Sequence, residues 1–248
     1  MTQLPSDLMT RQGIWNFLLV MNSKSLEKTA KKEGPKKIGL FGGTFNPIHL
    51  GHLRGAEEIR EEFHLDEVTF LPSSVPPHKT REKVISAKHR VEMVRQAVSG
   101  NPYFSVSDAE ISRPGKSYSI ETIRYFRETR QDTFFFILGS DAFLEIETWR
   151  EFQNLFSLCN FIVMTRPESQ KKTASLSQAL APNFRYSSGE RAWMHVSGYM
   201  LYFKEISFLD ISSTKIRELI EKERSVRYLI PPEVEAYIDE HDLYRKQP

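Results

Sequence analysis

One cysteine, Cys159, stands in 248 residues, which excludes an intrachain disulfide and a cysteine-rich metal site. A lone thiol in the apolar run 159–164 reads as a buried strand residue in a reducing compartment, and the cytoplasm is expected. No apolar stretch approaches the ~20 residues needed to span a bilayer, so no membrane partner is expected. Neither sign of charge dominates. Lys and Arg number 34 against 32 Asp and Glu, a net charge of +2, and basic and acidic residues are interspersed. A nucleic-acid-binding surface is therefore not expected. Internal repeats and low-complexity segments are also missing. The length suits one sizeable α/β domain or two small ones.

What is present concentrates in two short segments. The first reads Gly42-Gly43-Thr44-Phe45-Asn46-Pro47-Ile48-His49-Leu50-Gly51-His52. A short apolar run, 37–41, precedes it and suits a buried strand. Residues 53–63 follow, with Leu53, Ala56, Ile59 and Phe63 near helical spacing. The order is strand, glycine turn, helix, an arrangement that leaves backbone N–H groups at a helix N-terminus, where they hold phosphate. Gly42 and Gly43 allow close backbone approach to a ligand, and Pro47 fixes one φ angle. His49 and His52 are three residues apart, so both can face one ligand; capping or packing is the plainer role for such a pair. Zinc fits poorly, because the spacing is wrong for a metalloprotease helix and no third ligand is near.

The second segment is Asp210-Ile211-Ser212-Ser213-Thr214-Lys215-Ile216-Arg217. Ile216, Leu219 and Ile220 form the apolar stripe of a helix preceded by hydroxyl residues typical of N-caps. Arg217 lies three residues from Thr214 and four from Ser213, so its guanidinium leans over the helix start. This is a second candidate anion site, although a hydroxyl cap before a basic helix is also a common structural device.

Together these segments resemble the (His/Thr)-x-Gly-His and Ile-Ser-Ser-Thr-x-x-Arg signatures of the nucleotidylyltransferase superfamily. The whole chain from about Lys36 to about Tyr244 resembles the bacterial nicotinate-nucleotide adenylyltransferases. Further matches are Pro76-Pro77-His78-Lys79, Ser117-Tyr118-Ser119, Gly139-Ser140-Asp141 with Trp149 downstream, and Thr165-Arg166-Pro167. The resemblance implies transfer of the adenylyl group of ATP to nicotinate mononucleotide, giving deamido-NAD and pyrophosphate, with Mg²⁺ accompanying ATP. It implies His49 and His52 on the ATP phosphates, His52 being the transition-state contact, and Ser212, Ser213, Thr214 and Arg217 on the departing phosphates. Gly42, Gly43, Thr44 and Phe45 would lie against ATP, and Gly139 and Asp141 against a nucleotide ribose. For Asp141 a helix N-cap is the alternative. Trp149 would stack on the pyridine ring, a partly buried core position being its alternative. The nicotinate carboxylate would meet Ser119 and the backbone N–H groups of Ile120 and Arg150. Lys79 and Arg166 would reach phosphate or nucleotide, or else be solvated. No carboxylate cage for the Mg²⁺ is visible, so phosphate and water would form its shell.

Three functions stay open at this level: the nicotinate enzyme; a sister transferase acting on nicotinamide mononucleotide or phosphopantetheine; and a nucleotide-binding module without turnover. His49, His52, Ser213 and Arg217 together argue against the last.

The remaining pattern predicts strands at 67–71, 104–107, 133–138 and 160–164, and helices at 87–98, 119–129 and 231–241, with helical pieces through 156. Residues 168–198 read as a loop or weak helix. Alternation of this kind predicts a Rossmann-like α/β fold, an open and mostly parallel sheet with helices on both faces and a C-terminal helical segment. Its ligands would bind at the carboxyl ends of the strands. Residues 1–35 stand apart from the domain 36–248. Residues 15–21 are apolar but short, 24–37 are lysine-rich, and no small-residue cleavage site supports a signal peptide. An accessory helix with a solvated linker, or a true start at Met21, is expected there. Residues 75–83 carry two of the prolines and flanking charges and read as a mobile loop that orders on acceptor binding.

Overall fold

Burial alternates along the first strand and sets the layers. In β1 (Lys37–Gly43), Ile38 and Leu40 point to one face and Phe41 to the other. In β4 (Thr133–Gly139), Phe134, Phe136 and Leu138 share the first face, while Phe135 and Ile137 share the second. A strand apolar on both faces needs cover on both faces. The computed structural model describes residues 34–74, 84–113, 115–165, 176–207 and 209–245, all but residue 34 in a compact unit spanning 35–248. Lys79, Arg166, the loop at 75–83 and the segment 1–33 lie outside the described residues.

Between β1 and β4 run α1 (Leu50–Phe63), β2 (Glu67–Pro72), α2 (Ala87–Val98), β3 (Phe104–Val106) and α3 (Ser119–Thr129). After β4 come α4 (Ser140–Leu144), α5 (Phe152–Leu155), β5 (Asn160–Thr165), β6 (Phe184–Ser187), β7 (Ala192–His195), β8 (Met200–Glu205), α6 (Ser213–Glu221) and α7 (Pro232–Glu240). The sheet order is β3-β2-β1-β4-β5-β8-β7-β6. The first six strands in that order are parallel, and β7 and β6 continue antiparallel. Ala56 and Ile59 of α1, Met93 and Val94 of α2, Ile216 of α6 and Val234 of α7 pack on one face. Ile120, Ile123 and Phe126 of α3, Phe143 of α4 and Leu155 of α5 cover the other. Cys159 is fully enclosed there, and burial pushes its thiol up to about 12, which makes it unreactive.

One expectation needs correcting. Within 168–198 the chain forms strands β6 and β7, which pair with each other and extend the sheet beyond β8. Each has only four residues, and β6 exposes its two middle residues, so no alternation is long enough to read in sequence.

Strand order reverses between β1 and β4, with β2 and β3 on one side and β5 and β8 on the other. Open α/β sheets hold ligands outside the carboxyl ends at such a switch point. Among the described residues no helix is long and apolar enough to cross a membrane.

Candidate active site

The carboxyl ends of β1 and β4 form the floor of a cavity of about 470 Å³. Gly42 and Gly43 line it from β1, Thr44 from the turn that follows, and Gly139 from β4. A Cβ on Gly43 would lie 2.7 Å from the Phe45 ring, which is itself wedged against Phe41 and Phe70, so the close approach requires glycine there. Ser119, Trp149 and Arg150 complete one wall. The half-buried Trp149 stands edge-on to Phe136 with ring centroids 6.3 Å apart.

Ser119 and Ile120 open α3, where Tyr118 is the N-cap. The Tyr118 carbonyl accepts from the amides of Glu121 and Thr122, and no hydrogen bond among the described residues takes those of Ser119 and Ile120. The Ile120 side chain is fully buried, so only its backbone can serve a ligand. Arg150 donates to Glu121 at 2.7 Å and lies 4.9 Å over the Tyr118 ring. Asp141 is exposed in the first turn of α4, and the N-cap of that helix is Gly139, so the capping alternative for Asp141 is not what the fold uses.

Glu110, which no sequence signature marks, and Ser117, the first residue of the Ser117-Tyr118-Ser119 match, also belong to this wall. Glu110 lines the cavity although it is almost wholly buried, and burial pushes its carboxyl up against the opposing pull of hydrogen bonds from Thr122 and Ser117. Ser117 Oγ in turn accepts from the Ser74 amide at 2.7 Å.

The histidine pair stands on the other flank. His49 is the N-cap of α1, and its backbone N–H donates to His52 Nδ1 at 3.3 Å. That bond makes Nδ1 an acceptor and places the proton of a neutral His52 ring on Nε2, a donor suited to an oxyanion. The two rings stack with centroids 3.6 Å apart, and His52 is braced edge-on by Phe45 at 5.1 Å. The helix start is partly self-satisfied, contrary to the simple expectation of open amides. The Leu50 amide donates to the Leu229 carbonyl, and those of His52 and Leu53 donate to the His49 carbonyl. Among the described residues, the amide of Gly51 has no such partner.

Gly51 also makes room for the His49 ring. A Cβ there would lie 3.1 Å from His49 Nδ1, tighter than ordinary contact, so the ring must shift by a few tenths of an ångström. Gly51→Ala is therefore expected to lower kcat by roughly tenfold, because misplacement by 1 Å can cost about 10²-fold. Thermal stability should hold or rise, since alanine is the better helix former by about 1 kcal/mol. Steady-state kinetics beside a thermal melt checks this; an unchanged kcat would show that the ring position is immaterial.

The second signature docks onto the first. Ser212 is the N-cap of α6, its hydroxyl accepting from the Lys215 amide at 3.2 Å. Ser213 Oγ donates to the Pro47 carbonyl at 2.8 Å. Arg217 Nη1 donates to the Asn46 carbonyl at 2.8 Å, and Nη2 to Thr214 Oγ1 at 3.3 Å. Arg217 and Thr214 line a second cavity of about 350 Å³ with Ile85 and Tyr244. The turn 44–47 thus lies between two site halves. One carries Trp149 and the start of α3; the other carries Arg217 and Thr214.

Nucleotide transfer is what a glycine turn, an imidazole pair and a guanidinium at a sheet switch point suit, and the wider class is also visible in the sequence. The cytidylyltransferase-like family matches residues 40–219. Relatives narrow the class: a Geobacter metallireducens protein named "Probable nicotinate-nucleotide adenylyltransferase" is 48% identical over 211 residues, covering 84% of this chain and 98% of the relative. A protein of the same name from Pelobacter propionicus is 46% identical over 215 residues, 86% of this chain and 100% of its own length. The chain belongs to the nicotinate-nucleotide adenylyltransferase family. The fold is shared with the nicotinic acid mononucleotide adenylyltransferase of Plasmodium falciparum, solved in complex with NaAD, at a TM-score of 0.64 and 21% identity over 84% of this chain and 97% of that one.

Proposed function

We propose that this chain transfers the adenylyl group of ATP to the 5′-phosphate of nicotinate mononucleotide, releasing pyrophosphate and forming deamido-NAD in NAD biosynthesis. The observation that carries this reading is the shared floor: one glycine turn serves both a cavity walled by Trp149 and the start of α3 and a flank carrying His49, His52 and Arg217. Residues 36–248 would form the catalytic domain, with 1–35 an extension outside it, working in the cytoplasm where ATP is plentiful.

A phosphate oxygen of the mononucleotide attacks the α-phosphorus of ATP. The new P–O bond forms as the bond from the α-phosphorus to the bridging oxygen breaks, and pyrophosphate departs with that electron pair. The attacking phosphate is already anionic, so the reaction requires neither a covalent nucleophile nor a strong base. Alignment of two polyanions and stabilisation of their charge are the enzyme's contribution. In this reading His52 Nε2–H donates to the reacting phosphate, and the amide side of the turn and Arg217 hold the leaving phosphates. Gly139 and Asp141 take a ribose, Trp149 the pyridine ring, and Ser119 with the Ile120 amide the nicotinate carboxylate. Mg²⁺ bound to the ATP phosphates would supply further charge neutralisation. Among the described residues no three His, Cys, Asp or Glu side chains stand together as a cage, so phosphate and water oxygens would fill its shell.

Arg217→Ala is expected to weaken ATP binding by about 10- to 100-fold, the scale of a lost hydrogen bond to a charged group. The KM for the mononucleotide should stay nearly constant. A change confined to the mononucleotide constant would assign α6 to the other substrate. The reading as a whole is tested by incubating ATP with nicotinate mononucleotide, nicotinamide mononucleotide and phosphopantetheine in turn and following pyrophosphate. Release with the first supports it; release with phosphopantetheine alone moves the chain to the sister class, and binding without release leaves a non-catalytic module.

A further inference from the structure

Two residues that no sequence signature marks hold the turn 44–46. Arg90 is fully buried in α2, yet it forms no ion pair with a carboxylate among the described residues. Its guanidinium donates instead to three carbonyls: Thr44 at 2.7 Å, Ser74 at 2.8 Å and Ile85 at 3.2 Å. Its hydrogen bonds all go to neutral acceptors and the Glu110 carboxyl offsets burial only in part, so a purely structural tie would be an expensive choice. Burial lowers its pKa to about 10, so it is still a cation at neutral pH. Tyr244, beyond α7, donates its hydroxyl to Asn46 Oδ1 at 2.9 Å, and burial raises its pKa, keeping it a donor.

The opposite side of the turn is different. Phe45 has a left-handed φ of 47°, and no hydrogen bond among the described residues takes the amides of Thr44 or Phe45. Successive amides around a left-handed residue make an anion-binding concavity. We propose that Arg90 and Tyr244 are positioning residues for adenylyl transfer, pinning the carbonyl side of this turn so that its amide side is fixed on the ATP phosphates. The inference rests on the function proposed above. Arg90 acts from behind the turn, whereas Tyr244 stands on the wall of the cavity it shares with Thr214 and Arg217; α2 and α7 are tied by the His89 Nδ1 to Tyr237 hydroxyl contact at 2.9 Å.

Tyr244→Phe removes one oxygen and is expected to lower kcat/KM for ATP about tenfold, the scale of one lost hydrogen bond. The KM for nicotinate mononucleotide should stay within about twofold, a split that general loosening of the fold would not produce. Arg90→Met should lose about 10²-fold on ATP, and Arg90→Lys, which keeps the charge but not the fork, should fall between. The affinity of the full chain for inorganic pyrophosphate, measured by calorimetry, should weaken in the same order. Equal losses on both substrates, or no loss in a folded Tyr244→Phe protein, would overturn the proposal. A wild-type chain without turnover on pyridine mononucleotides would sink the functional reading alone, because the pyrophosphate series still decides this one.

Discussion

His52→Ala should lower kcat by about 10²-fold or more while leaving the protein folded. The ring proton sits on Nε2 because Nδ1 accepts from the His49 amide, so the substitution removes an oriented donor whose direction is already fixed before substrate arrives. Preorganised donors of this kind cost about 10²–10³ in kcat when deleted. The structural loss is smaller. One amide bond, the stack on His49 and the edge contacts to Phe41 and Phe45 disappear, the hydrogen bond accounting for about 1 kcal/mol, or roughly 2–4 °C in melting temperature at this size. Rapid-quench turnover beside a thermal melt separates the two effects. Near-normal turnover in the folded variant would remove His52 from the chemistry.

Nicotinate mononucleotide should be preferred to nicotinamide mononucleotide by several hundredfold in kcat/KM. The start of α3 offers the Ser119 and Ile120 amides and the positive end of an eleven-residue helix, a setting that favours a carboxylate. A carboxamide turns its NH₂ toward those donors and leaves buried groups unpaired, at roughly 1–3 kcal/mol each. Two mismatches at ~2 kcal/mol give several hundredfold, by ~1.4 kcal/mol per tenfold. Trp149→Ala should weaken both acceptors by similar factors, because stacking does not distinguish acid from amide. A ratio near one in the wild-type protein would contradict the assignment of this wall.

Much of the candidate site's local geometry was legible because its parts are local. Glycine turn, histidine pair and Ser212-to-Arg217 run each lie within one strand–turn–helix or cap–helix unit, where spacing fixes geometry. The parallel sheet and its two covered faces followed from continuous apolar strands such as 133–138. What stayed hidden depends on distance along the chain. Arg90 meets Thr44 across 46 positions and Tyr244 meets Asn46 across 198, separations at which no periodicity speaks. Arg90 left one trace, a charge on the same helical face as Met93 and Val94. The β6–β7 pair was missed because four-residue strands carry too few alternations, and the N-cap alternative for Asp141 fails because Gly139, two residues earlier, takes that place.

The central claim is that an adenylyl group moves from ATP to nicotinate mononucleotide on this chain. ATP labelled at its α-phosphorus tests it most directly. With nicotinate mononucleotide present, the label should pass into a dinucleotide of the mass of deamido-NAD, one equivalent for each pyrophosphate released, with none in the pyrophosphate. Label remaining in ATP or appearing only in AMP, with no dinucleotide formed, would contradict the account.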